Sequence, residues 1–315
     1  VPSLTDVHGD VIYWSQQFPP RLECSHFLKS AGHFVSRHVR SSRFRRPDRD
    51  HRPLSFGVEL HLESISQSDH RRAGLEHALR THGLPLGPDR VQSAHAFDSE
   101  LRGALGATLA SIELALRGRV DVVMERAHGA SWLDQSDAFR TETDLQALRT
   151  RVRRELDRTV GTRSRYRPGD GPVETDFGRI AEELSFGTLS HVCGALRPEV
   201  QRTLARSFAI PPPTLRSTLQ HLSHVRNLCA HHVRLVGRTI QCPTPRYRNP
   251  ELLAAAVRLA AERRAFSSVV IAAHVAAGVP ETERVRRRLH DALELHRSLL
   301  PTIGCPADWQ ALLQL

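Results

Sequence analysis

Arg226, Asn227 and His231 stand within six residues of one another, with further histidines at His221, His224 and His232. These residue types can cut a phosphodiester. Histidine titrates near neutrality and can move a proton, while arginine stays charged and offers a planar fork to a phosphate. An amide at Asn227 can orient the imidazole or bond the phosphate itself. The spacing alone identifies nothing. With 43 arginines and 19 histidines in 315 residues, about 2.6 such pairs arise by chance. The chain has six, at Arg21/His26, Arg46/His51, Arg72/His77, Arg90/His95, Arg216/His221 and Arg226/His231. Cys229 beside the histidines is a weak metal signal, because no second thiolate sits at ligand spacing. His224 and His232 read as surface or packing residues.

The element that must position these groups is a helix. Leu215, Leu219, Leu222, Val225, Cys229, Val233 and Val236 form one apolar stripe, and the helix they predict follows Pro211-Pro212-Pro213 with Thr214 as its N-cap. Gly237, Pro243 and Pro245 then end it. On an ideal helix Arg226 and His231 lie about 140° apart, and Arg226 falls inside the apolar arc. Either the helix is interrupted, or Arg226 reaches out from a buried stem anchored by a carboxylate.

Other helices must surround this one. Phe97, Leu101, Leu105, Leu109, Ile112, Leu116, Val120 and Val123 recur every three or four residues, predicting one long helix from about residue 96. Asp98/Arg102 and Glu113/Arg117 read as surface pairs on it. A polar helix is expected over 143–158, a loop over 161–172, and helix-like spacing over 180–196 with a break at Ser185-Phe186-Gly187 packed by Phe186. A short helix over 198–209, an alanine-rich one over 252–277 opened by Asn249-Pro250, and a last one over 281–300 complete the reading. No alternating run is long enough for a sheet, so the fold class is mainly α, without internal repeats. Residues 1–90 read as a divergent, basic, partly disordered region, arginine-dense over 36–52. A boundary at Pro85, Gly87 and Pro88 leaves 91–315 as the helical domain.

A net charge of +10 and a sequence pI of about 10.5 suit a polyanionic partner such as RNA. Lys29 is the sole lysine, and arginine- and alanine-rich composition of this kind is what a GC-rich genome imposes, so the charge carries modest weight. Five cysteines, odd in number and widely spaced, give neither a disulfide framework nor a zinc knuckle. No metal or other cofactor is expected. No apolar run of membrane-spanning length and no charged-then-apolar leader is recognisable, which makes the cytoplasm the expected compartment and a membrane an unexpected partner.

The segment Arg226-Asn227-Leu228-Cys229-Ala230-His231-His232-Val233-Arg234-Leu235 resembles the signature of the Abi-like (abortive infection) family of the HEPN superfamily. Three further stretches are similar to the same family. They are Phe97-Asp98-Ser99-Glu100-Leu101-Arg102 with its continuation through Ile112-Glu113 to Arg117, Glu182-Glu183-Leu184-Ser185-Phe186-Gly187, and Gly304-Cys305-Pro306-Ala307-Asp308-Trp309. Together they span about residues 95–312. The resemblance implies a HEPN-like helical bundle and a metal-free endoribonuclease acting in phage defence or as a toxin. In that reading Arg226, Asn227 and His231 are catalytic, Glu182 holds Arg226, Ser185 supports the site, and Arg234 and Arg238 contact RNA. It also implies a homodimer with both motifs in one cleft, and an associated RNA or cognate antitoxin as further partners. Two departures stand out: residues 1–90 do not resemble the family's opening helices, and Phe177 occupies the place of a tryptophan before the middle motif. They keep a second reading in play, an inactive RNA-binding or antitoxin-interacting helical protein.

Overall fold

The long apolar stripe becomes the spine of the molecule. In a computed structural model, which describes residues 69–163, 177–248, 253–254, 257–258 and 263–313, helix α2 runs Pro88–His128. At 1.5 Å per residue its 41 residues extend about 60 Å. Phe97, Leu101, Leu105, Leu109, Ile112, Leu116, Val120 and Met124 are fully buried along one side. Burying each such side chain stabilises the fold by roughly 2 kcal/mol. That drives the remaining helices onto this face.

Those helices are α1 (Asp69–Thr81), α3 (Glu142–Arg163), α4 (Phe177–Ile180), α5 (Phe186–Ala195), α6 (Pro198–Ser207), α7 (Leu215–Ala230), α8 (Ala265–Ala276), α9 (Thr282–Leu295) and α10 (Trp309–Leu313). Helix α2 contacts α1, α5, α6, α7, α8 and α9, and α7 also packs on α5 and α8. The described residues contain no strand. One isolated bridge, Phe139 with Leu196, ties the lead-in of α3 to the end of α5. The mainly α expectation therefore holds.

Several boundaries differ from the sequence reading, each for a local reason. The bundle begins before residue 90: Leu75, Ala78 and Leu79 of α1 are buried, and Arg71 pairs with Asp98 of α2. Helix α7 stops at Ala230 rather than running to Val236. Thr214 precedes it without capping it, since its hydroxyl donates to Pro211 O. The break expected at Ser185-Phe186-Gly187 is the start of α5, where Ser185 accepts from Thr188 N and Phe186 is buried. Residues 252–277 are not one helix, because Arg263 takes a positive φ of 56° just before α8. The final helix ends at Leu295, and a 3-10 turn, Arg297–Ile303, carries Pro301. The basic stretch 36–52, most of the 161–172 loop and the Asn249-Pro250 opening lie outside the described residues. No described helix is long and apolar enough to cross a membrane.

His221, midway along α7, is fully buried and structural. A carbonyl can only accept, so His221 Nδ1 donates to Pro243 O at 3.2 Å, and Nε2 then accepts the Ser268 hydroxyl at 2.9 Å. This fastens the 242–247 segment and α8 to α7. Burial pushes the imidazole down to about 4 from its ordinary 6.5. Below pH 6.5 the unfolded chain takes up a proton that the folded chain refuses until about pH 4. Stability is thus expected to fall as the pH drops through that window, by up to about 3 kcal/mol. Urea midpoints measured from pH 7.5 to 4 should show the fall, and His221→Gln should flatten it.

Candidate active site at the end of helix α7

The exit from α7 falls at His231 itself, five residues after Arg226. His231 is the C-cap, at φ −91° and ψ 15°, and His232 takes the left-handed region at φ 54°. His232 N–H bonds Cys229 O at 3.1 Å and Val233 N–H bonds Leu228 O at 2.9 Å, the paired reverse bonds of a Schellman ending. The chain turns sharply at His231. Its imidazole is exposed and has no hydrogen-bond partner among the described residues. Asn227, one turn earlier, is exposed too, and its carbonyl receives the His231 N–H at 3.0 Å.

A histidine in the left-handed region is strained, and a buried carboxylate holds it there. Asp98 of α2 is fully buried and accepts four bonds. Its Oδ1 takes Leu235 N–H at 2.7 Å and Val236 N–H at 3.0 Å, while Oδ2 takes Arg71 at 2.5 Å and Arg102 at 3.1 Å. The two arginines then reach His232: Arg71 donates to its carbonyl at 2.8 Å, and Arg102 lies 3.3 Å from its Nδ1. Gly237 closes the segment. Its φ is +66°, and a Cβ there would lie 2.4 Å from that of Ala78 in α1. Of the pairs read as lying on the surface of α2, Asp98, Arg102 and Glu113 are instead buried and Arg117 is half-buried.

Arg226 is anchored as its buried stem requires, with its side chain 36% exposed. Its Nε donates to Glu113 Oε2 at 3.2 Å, and the other oxygen of Glu113 accepts from Arg117. No further hydrogen bond to Arg226 exists among the described residues. The two terminal nitrogens are therefore left for an incoming anion, and Glu113 fixes the plane in which they lie. The carboxylate found on Arg226 is Glu113, where Glu182 was expected. Exposed Glu182 joins the same network through its main chain: Arg117 donates to Glu182 O at 3.0 Å and to Leu184 O at 2.8 Å. Ser185 follows directly, its N–H bonded to Glu155 at 3.0 Å and its hydroxyl capping α5. Ser185 thus serves the helix that packs against α7.

Of the remaining expected residues, Arg234 turns inward. It donates to Val236 O, and its guanidinium lies where a Cβ on Gly74 would stand. Arg238 stays partly exposed, and its charge, after burial, helps lower the pKa of His224. Burial raises the Cys229 thiol to about 12, so it carries no thiolate at neutral pH. The sequence reading missed Asp98, Arg71 and Glu113 as supports of the site. Their signal was a carboxylate falling inside an apolar stripe.

The model of the family described as Abi-like protein matches residues 79–236, half of the chain. The chain belongs to the Abi-like protein family. The match starts in α1, earlier than the resemblance over 95–312, and ends at Val236, whose N–H rests on Asp98. Every residue of the two carboxylate networks except Arg71 falls within it; the Gly304–Trp309 stretch does not. No curated protein and no solved structure matches this Abi-like chain. Membership points to abortive infection, a response to phage attack, as the setting in which it acts.

Proposed function

We propose that this Abi-like protein is a metal-independent endoribonuclease of the HEPN type, serving phage defence or acting as a toxin. The observation that carries the reading is the grip of Glu113 on Arg226 through Nε alone, which leaves the outer edge of a half-buried guanidinium open on the same helix that ends at exposed His231. Cleavage begins when the ribose 2′-hydroxyl attacks the adjacent phosphorus. The 2′ proton leaves to a base, a phosphorane-like transition state forms, and the 5′ oxygen departs with a proton from an acid. The products are a 2′,3′-cyclic phosphate and a 5′-hydroxyl. His231 transfers one of these protons, Arg226 meets the charge growing on the phosphoryl oxygens, and Asn227 bonds the phosphate or steadies the ring.

One imidazole per protomer supplies one of the two proton transfers. A homodimer bringing two His231 side chains to one cleft supplies both, and gives each imidazole the neighbours it lacks in the protomer. In this reading Arg238, partly exposed after the turn, contacts the RNA backbone. The test is a gel assay of the purified protein on mixed RNA substrates in EDTA, with cyclic phosphate detected at the new 3′ ends. Cleavage is expected, together with a dimer mass by light scattering at micromolar concentration. Salt-sensitive RNA binding without turnover would instead establish the inactive, RNA-binding reading.

A further inference from the structure

Away from the α7 exit, α3, α5 and the first turn of α7 enclose a cavity of about 310 Å³. Three of its lining residues are arginines, Arg140, Arg151 and Arg216, and His191 joins them. Asp144 is the single carboxylate. It is already committed: Arg140 donates to it at 3.1 Å, and it exchanges hydrogen bonds with Thr141 at the start of α3. Arg151 and Arg216 make no hydrogen bond or close ion pair among the described residues, although the charge of Arg216 acts on Asp144. Both guanidinium groups are exposed and line one cavity, so an anion that enters can take hydrogen bonds from both.

The cluster is built rather than incidental. The bridge between Phe139 and Leu196 carries Arg140 N–H to Ala195 O at 3.0 Å, which fixes the Arg140 backbone against the end of α5. Gly194 leaves room for the stem of Arg216 to lie flat on α5, since a Cβ there would stand 3.2 Å from Arg216 Cδ. Both guanidinium groups are also felt by their neighbours. Burial, then the charges of Arg151 and Arg216, lowers the His191 pKa. Asp144 is disfavoured by burial, yet hydrogen bonds from Thr141 and Arg140, with the charges of Arg140 and Arg216, hold its carboxyl below the usual range. The site lies ten residues before Arg226 on α7, about 15 Å along the helix axis.

We infer that this cavity binds a phosphate group, with Arg151 and Arg216 as its clamps and Arg140 and His191 completing the cradle. Guanidinium forks match phosphate oxygens in pairs, and the cavity has no free acid to compete. The phosphate can belong to a nucleotide or to an RNA backbone, and the inference does not depend on the nuclease reading. It is tested by calorimetric titration of the full chain with inorganic phosphate, with AMP, and with a short oligoribonucleotide lacking terminal phosphates. Arg151→Ala and Arg216→Ala are compared with Arg202→Ala, an exposed control on α6. The two cavity variants are expected to weaken binding about tenfold or more while the control leaves it unchanged. Sensitivity seen with phosphate and AMP alone assigns a nucleotide, and sensitivity seen with the oligomer assigns RNA. A rise in the His191 pKa on binding, followed by NMR, places the ligand in this cavity. The inference is overturned if no probe binds, if Arg202→Ala loses as much as the cavity variants, or if neither cavity variant loses any affinity.

Discussion

His231→Ala is expected to lower the rate of RNA cleavage by about 10²–10⁴, the range for losing a general acid or base, with RNA affinity nearly unchanged. The exposed imidazole makes no hydrogen bond among the described residues, so its removal disturbs no packing and the fall reports chemistry. Arg226→Ala should lose on the order of 10²–10³, as for a group that stabilises charge in the transition state. Arg226→Lys should recover little, because an ammonium cannot hold Glu113 through one nitrogen while offering two more outward. Glu113→Gln separates placement from chemistry. It leaves the guanidinium charge in place but weakens the bond at Nε and the one to Arg117. Activity should fall by less than in Arg226→Ala, with KM for RNA rising alongside the loss in kcat. Single-turnover cleavage in EDTA measures all four variants. A His231→Ala protein that cleaves at the parent rate would falsify the proposed mechanism.

The spine of the fold was legible because it obeys a local rule. Apolar residues at three- and four-residue spacing from Phe97 to Val120 predict a buried helical face, and the structure buries them. The end of α7 was not legible, because the stripe continues through Val233 and Val236 after the helix has stopped. Nothing local stops α7 at Ala230: the C′ residue is His232, where glycine is the usual signal. What turns the chain is a carboxylate 137 residues away from Leu235, and a side chain so distant in sequence leaves no mark on helical periodicity. The resemblance implies Glu182 as the holder of Arg226, whereas the structure has Glu113, 113 residues away in sequence, bonded to it. Both Asp98 and Glu113 sit at stripe spacing, at 98, 101, 105, 109, 113 and 116. An acid in that register signals a buried ion pair, while the four-residue spacing to Arg102 and Arg117 suggested surface pairs. The cavity at Arg216 was also hidden, since it joins α3, α5 and α7 and one of its arginines belongs to a decoy pair.

Asp98→Asn is expected to cost about 3–5 kcal/mol of folding stability, the loss seen when one partner of a buried ion pair is removed. The reason lies in the number of groups it leaves unpaired. One amide oxygen cannot replace two carboxylate oxygens that serve the Leu235 and Val236 N–H groups on one side and two guanidinium groups on the other. The amide nitrogen would point a donor at donors. Arg102 would remain buried with the carboxylate that balances its charge gone, where a single surface pair is worth less than about 1 kcal/mol. Against a total stability of about 5–15 kcal/mol this is a large fraction, and urea denaturation should show it as a clear drop in midpoint. Arg102→Ala should cost less than Asp98→Asn, because Arg71 and both N–H groups still satisfy the carboxylate. If the nuclease reading holds, the two variants also separate stability from function. Arg102→Ala frees His232 Nδ1 while leaving the Asp98 bonds to Leu235 and Val236 in place, so it should loosen the turn at His231 within a folded protein. Its cleavage rate should then fall further than its stability accounts for, and an unchanged rate would show that the left-handed His232 does not position the imidazole before it.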